Sequence, residues 1–274
     1  MLPYVLPALY ALFVWWFSTG LVMYLDGLPP RTFRWSMAGA TALLAASLYG
    51  LAASSADASV AGAFAAFTWG LLVWAWLEMG FYTGYVTGPR KHACHEGCRG
   101  WRHFGHAIMV SLWHELAILA CAAAVTWVTW GGSNQVGFWT FVTLWWMHQS
   151  ARLNVFLGVR NLNAEFLPGH LSYLRSFLRK RRMNPLFPVS VTVSTGVLAW
   201  LVTRASAADA GSFEAAGYSF LAALMALAIL EHWFLVLPLP TAALWSWGLR
   251  SRTPRVESAT PRVEMARRAG ETAA

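Results

Sequence analysis

Seven separate stretches of this chain are apolar enough, and long or nearly long enough, to cross a bilayer, which takes about 20 residues of α-helix. They fall near Leu2–Leu25, Phe33–Ala53, Ala61–Tyr85, His103–Trp127, Phe138–Leu157, Leu186–Val202 and Ser219–Leu239. This predicts an all-α, polytopic membrane bundle over residues 1–249, followed by a disordered, basic cytoplasmic tail over 250–274, where the chain turns polar and poor in large apolar side chains. Only 12% of the residues are charged against 57% hydrophobic. A soluble domain carries about a quarter charged residues, so an ordinary cytosolic enzyme is excluded. Pro29–Pro30, Gly131–Gly132 and Asn184–Pro185 punctuate the connections. Trp127, Trp130 and Trp139 at one face, and Trp35 and Trp101 at the other, suit the membrane interface. Leu244–Leu249, with Trp245 and Trp247, is expected to lie in that interface before the tail. The first span lacks a basic leader and a small-residue cleavage site, so it reads as a retained helix.

Charge sets the orientation. Every Lys and Arg except Arg204 falls in the connections after the first, third and fifth spans, at the end of the fifth span, or in the tail. The opposite face carries Asp57, Asp209 and Glu214. The positive-inside rule then places the N-terminus outside and the C-terminus in the cytoplasm. The net charge of +8 therefore belongs to one membrane face, and nucleic acid is not an expected partner.

Ionisable groups inside a span are costly unless paired or hydrated, which makes them functional candidates. They are Glu78 in the third span, His106, His114 and Glu115 in the fourth, His148 in the fifth, and Glu231 and His232 in the seventh. At a rise of about 1.5 Å per residue, Glu78, His114, His148 and Glu231 lie roughly 10–17 Å from the basic face, all at one level. Helical phase puts His103, His106 and His114 on one side of the fourth span, with Glu115 turned away from His114. Three readings of this layer stay open. Its groups form an interhelical hydrogen-bond network with Gln149 and Arg152. Alternatively they hold Fe, Mn or Zn, as imidazole and carboxylate together can, although the Glu-x-x-His spacing of bundle-core di-metal sites is missing. In the third reading a histidine such as His148 or His114 ligates a haem or chlorin packed by Trp and Phe.

Two further segments carry specific chemistry. In the loop His92-Ala-Cys94-His95-Glu-Gly-Cys98, Cys-x3-Cys lies within zinc-ligand spacing, but no second Cys or His pair adjoins it. The plainer expectation is a solvated basic loop, with Cys121 a small core residue. From His148 to Tyr173 the chain leaves the membrane. Asn161, Asn163 and Glu165 are placed to cap or coordinate, and Leu167, Leu171, Leu174 and Leu178 suggest an amphipathic surface helix ahead of the basic run Arg179–Arg182.

Several long strings give the chain a resemblance: LPALYALFVWWFSTG at 6–20, YLDGLPPRTFRWSM at 24–37, WHELAIL at 113–119, WWMHQSARLNVFLGVRNLNAEFLP at 145–168 and NPLFPVSVT at 184–192. Through these it resembles the PuhE-like family of photosynthetic-complex assembly proteins of purple phototrophic bacteria. The resemblance implies a factor in the bacterial inner (intracytoplasmic) membrane. Such a factor would assist reaction-centre and light-harvesting assembly or regulate bacteriochlorophyll supply, with lipid, photosynthetic subunits or pigment as partners. It assigns no catalytic residues. The alternative is an integral-membrane metal-dependent oxidoreductase acting on a lipophilic pigment precursor or quinone through Glu78, His114, His148 and Glu231. No nucleotide-binding Gly-rich motif is present.

Overall fold

A computed structural model describes residues 2–95, 97–162 and 166–252. It is all-α: α1 Leu2–Asp26, α2 Phe33–Ser54, α3 Val60–Tyr82, α4 Gly100–Met109, α5 Leu112–Thr129, α6 Val136–Leu157, α7 Leu186–Ala207, α8 Phe213–Phe234 and the short α9 Ser246–Leu249. Six helices are long and apolar enough to cross a membrane: α1, α2 with its leading turn, α3, α5, α7 and α8. α6 is equally long at 22 residues. Its second half, however, holds His148, Gln149, Ser150, Arg152 and Asn154, which lower its average hydropathy.

Side-chain pairings give the direction of each helix. α3 and α6 run parallel, since Trp74 meets Phe141 and Glu78 meets His148. α1 and α8 run parallel too, through Tyr10–Phe220 and Trp15–Glu231. α2 opposes α3, with Thr41 bonded to Trp76, and α7 opposes α8, with Trp200 on Tyr218 and Phe187 on Trp233. The seven long helices therefore alternate in direction, and the basic connections meet at one end. There Arg252 pairs with Asp26 at 2.5 Å, His170 Nε2 bonds the Tyr82 carbonyl at 2.9 Å, and the Cys94 amide donates to Ser176 Oγ at 2.9 Å.

At the opposite end, Asn134 fastens two connections together. Its Nδ2 donates to the carbonyls of Asp57 (3.0 Å) and Gly62 (2.9 Å), and its backbone N–H to that of Ser55 (2.8 Å). Ser59 and Ser212 cap α3 and α8, accepting from the amides of Gly62 at 3.0 Å and Ala215 at 3.1 Å. α3 lies at the centre of the bundle. One cluster joins it to α1, α6 and α8 through Ala66, Phe67, Ala216 and Phe220, and another joins it to α2, α5 and α6 through Leu51, Trp74, Ile118 and Phe141. Gly70 and Gly137 bring α3 and α6 into backbone contact, so a Cβ on Gly70 would sit 2.5 Å from the Gly137 carbonyl.

Four expectations are corrected. The fourth span does not begin at His103. The helix breaks at Val110–Ser111, where the Thr87–Arg90 loop takes over its hydrogen bonds: the His114 amide donates to the Thr87 carbonyl at 2.9 Å and the Arg90 amide to the Met109 carbonyl at 3.2 Å. The last span runs Phe213–Phe234, because Ser212 starts it earlier and the chain unwinds before Pro238. The sixth extends to Ala207. The surface helix is a 3-10 stretch, Gly169–Phe177, whose buried residues Leu171, Leu174 and Phe177 recur every third position, as three residues per turn requires.

Beyond α8 the chain turns back along α1. Trp16 donates to the Leu244 carbonyl at 2.8 Å, Trp245 donates to the Trp16 carbonyl at 3.0 Å, and the Trp247 ring fills the space beside Gly20. Of the expected tail, Arg250–Arg252 form a 3-10 turn, and the remainder lies outside the described residues.

Candidate functional site

The bundle carries a half-open cavity of about 490 Å³, within the range of small-molecule sites. Its walls are largely apolar and aromatic, among them Trp15, Trp74, Phe81, Phe156 and Trp245, with Leu174 and Phe177 of the 3-10 stretch over it. Glu78, His148, Arg152 and Glu231 contribute its polar groups.

Glu78, His114 and His148 converge from three helices, each offering a donor atom within 4.8 Å of the others. His148 Nδ1 lies 3.5 Å from Glu78 Oε1, and the His148 ring is held edge-on by Trp74 at 5.2 Å. His114 sits behind it, outside the cavity lining, between Phe81 at 4.8 Å and His148 at 5.6 Å. Both ring nitrogens of His114, and Nε2 of His148, are buried without a hydrogen-bond partner. Unpaired polar atoms in such a place cost free energy that a ligand would recover. One carboxylate and two neutral imidazoles on three helices are a donor set that suits Fe, Mn or Zn.

The other candidates fall elsewhere. Glu231 lines the same cavity but accepts a hydrogen bond from Trp15 Nε1 at 2.9 Å and stays outside the three-residue grouping. Glu115 pairs with Arg152 and accepts from Gln149 Nε2 at 2.5 Å, while Arg152 Nη2 donates to Ser111 Oγ at 2.6 Å. This quartet links α5 and α6 through an ion pair and two hydrogen bonds. His232 is fixed as well: its Nδ1 donates to the Ala228 carbonyl at 2.8 Å, so Nε2 accepts from the Ser150 hydroxyl at 2.8 Å.

His106 does not share a face with His114, because the break at Val110–Ser111 separates them. It lies at the basic end, with Nδ1 3.4 Å from Cys94 Sγ and 3.3 Å from Cys98 Sγ. Partial burial and the neighbouring Arg90 and His95 hold its imidazole pKa below the usual value, while partial burial and Cys98 raise that of the Cys94 thiol. His103 is stacked between Phe156 and Phe177 at 5.6 and 5.4 Å.

Asn161 caps α8, its Nδ2 donating to the carbonyls of Phe234 (2.8 Å) and Leu237. Asn163 and Glu165 lie outside the described residues. The sequence marks Asn184–Pro185 only as a break in the chain, but Asn184 closes the turn from α6 to α7 together with Asn154: its Nδ2 donates to the carbonyls of Asn154 and Gly158, each at 3.0 Å. The Asn-Pro pair at 184–185 was the available signal for this cap.

The chain belongs to the family described as "Protein of unknown function (DUF3623)", which it matches over residues 1–256. It is 41% identical over 251 residues to an uncharacterized 30.4 kDa protein in the puhA 5′ region of Rhodobacter capsulatus, an alignment covering 90% of this chain and 91% of that protein. No solved structure matches it.

Proposed function

We propose that this protein is an inner-membrane factor in photosynthetic-complex assembly that holds bacteriochlorophyll, or a related chlorin, in its central cavity. The relative's place beside puhA supports the photosynthetic context. The observation that carries the reading is the cavity itself, whose largely apolar and aromatic walls include one imidazole, that of His148. Glu78 beside Nδ1 would orient that ring, as outer carboxylates orient ligating histidines. The basic end would face the cytoplasm.

Protein purified in mild detergent from a pigment-producing phototroph should retain chlorin. His148→Ala should shift or abolish its absorption band, and deleting the gene should lower the near-infrared reaction-centre signal. Colourless wild-type protein that still rescues the deletion would end this reading.

The convergence of Glu78, His114 and His148 favours a second reading, in which these residues hold Fe, Mn or Zn beside a lipophilic pigment precursor or quinone in the cavity, as in a metal-dependent oxidoreductase. His114 separates the two, because it does not line the cavity. His114→Ala should strip a metal ion from the protein yet leave a chlorin on His148 in place.

A further inference from the structure

We propose that Cys94, Cys98 and His106 bind a zinc ion that fastens the α3–α4 loop over the cytoplasmic end of the bundle. Their donor atoms lie within 4.8 Å of one another, and Cys-x3-Cys falls inside the spacing of zinc-ligand pairs. With Zn–S near 2.3 Å and Zn–N of 2.0–2.1 Å, a tetrahedral ion separates sulfur from nitrogen by about 3.6 Å. The distances from His106 Nδ1 to the two sulfurs, 3.4 and 3.3 Å, need only a small expansion to admit it.

The backbone prepares the loop for this. The Cys98 amide donates to the His95 carbonyl at 3.2 Å, and Gly97, at φ +80°, supplies the left-handed residue that so tight a turn needs. Arg90 Nη2 donates to the Ala93 carbonyl at 3.0 Å, steadying the loop that delivers Cys94. His106 comes from the far side of the helix break, so the pair that looks incomplete in the sequence gains its third ligand from α4. His95 is the fourth, its ring 5.9 Å from that of His106 and exposed enough to turn inward.

Fastening this loop has a consequence for the cavity. Cys94 packs against the cluster of Val110, Leu171, Leu174 and Phe177, and its amide is bonded to Ser176. Leu174 and Phe177 line the cavity. A metal at Cys94 therefore stiffens the segment that covers the cavity, independently of what the cavity holds. A disulfide is the competing use of two cysteines, but the basic end faces the reducing cytoplasm in the proposed orientation.

The test uses the full chain in detergent. Purified protein should carry about one zinc lost in the Cys94→Ser/Cys98→Ser variant and kept in Cys121→Ser. Replacement by Co²⁺ should give thiolate-to-metal charge-transfer absorption and the intense visible bands of a tetrahedral site. These should persist in His114→Ala and His148→Ala, which keeps the result separate from any metal in the membrane. Thiol alkylation of wild-type protein guards against misfolded variants: Cys94 and Cys98 should be protected until a zinc chelator is added. Unprotected thiols, a Cys94–Cys98 disulfide in freshly isolated membranes, or cobalt spectra without thiolate bands would overturn the proposal.

Discussion

At the end of the bundle that carries Asp57 and Gly132, the helices meet through small residues and shared backbone. Gly70 lies on Gly137, Gly132 on Ser55, and Asn134 spans the carbonyls between them. At the basic end the same α3 and α6 line the cavity and carry Glu78, His148 and Arg152. The helices are continuous, so the difference lies in side-chain size along α3 and α6. Glycine and alanine let the backbones touch, and about two to three turns further on aromatic and ionisable side chains such as Trp74, Glu78 and His148 make the contact instead. One end fixes the geometry that the other uses to present polar groups in an apolar wall.

Labelling decides which end faces which compartment. A cysteine placed after Ala274 should be inaccessible to impermeant reagent in intact spheroplasts and react fully once the membrane is opened. Labelling without opening would exchange the two ends and remove the reducing environment from Cys94 and Cys98.

Gly137→Val attacks the packed end. Its Cβ would press on Leu51 and lie 2.7 Å from the Ala66 carbonyl, a backbone atom that cannot turn aside. Overpacking of this kind costs about 1–3 kcal/mol or more. The thermal midpoint in detergent should drop further than for Ala151→Val, which faces the cavity. Equal losses would show that the two ends do not differ in packing tolerance.

A double-mutant cycle probes the polar end. Arg152→Gln and Glu115→Gln should each destabilise the protein, and together they should cost less than their sum, with a coupling of about 0.5–2 kcal/mol. Strict additivity would mean that the ion pair contributes nothing. The smallest effect is expected at Asp57. The Ser59 amide and hydroxyl hold its carboxyl pKa below the ordinary 3.8. A depressed carboxylate stabilises the fold above its unfolded pKa, and that contribution fades as pH falls through the folded value. Asp57→Ala should therefore flatten a shallow acid-side slope in a stability profile and leave stability at low pH unchanged.

Glu78, His114 and His148 do come together, but helical rise does not by itself explain it: the depth count for His114 runs from His103, and α5 begins only at Leu112. Which of them meet was not legible, since that depends on the rotation of each helix about its axis. The break at Val110–Ser111 was hidden by hydropathy that runs on across it. A partial signal was present in Arg102, His103 and His106, too polar a sequence for the start of a span. Missing the break also hid the third ligand of the loop cysteines, for His106 read as a membrane residue. The apolar stripe Leu167, Leu171, Leu174 and Leu178 suits an α-helical period, whereas the buried set Leu171, Leu174 and Phe177 fits a three-residue turn.

The pairing of α1 with α8 dictates the order in which this protein can be finished during synthesis. Trp15 and Glu231, bonded across the cavity wall, are separated by 216 residues. At the usual 5–20 residues per second, the ribosome takes about 10–40 s to make the second after the first. Through that interval α1 waits in the membrane with one flank uncovered, and no closed cavity exists. The wall that Trp15 and Glu231 share is therefore completed only once α8 has been made, and the cavity is a late product of assembly rather than an early one.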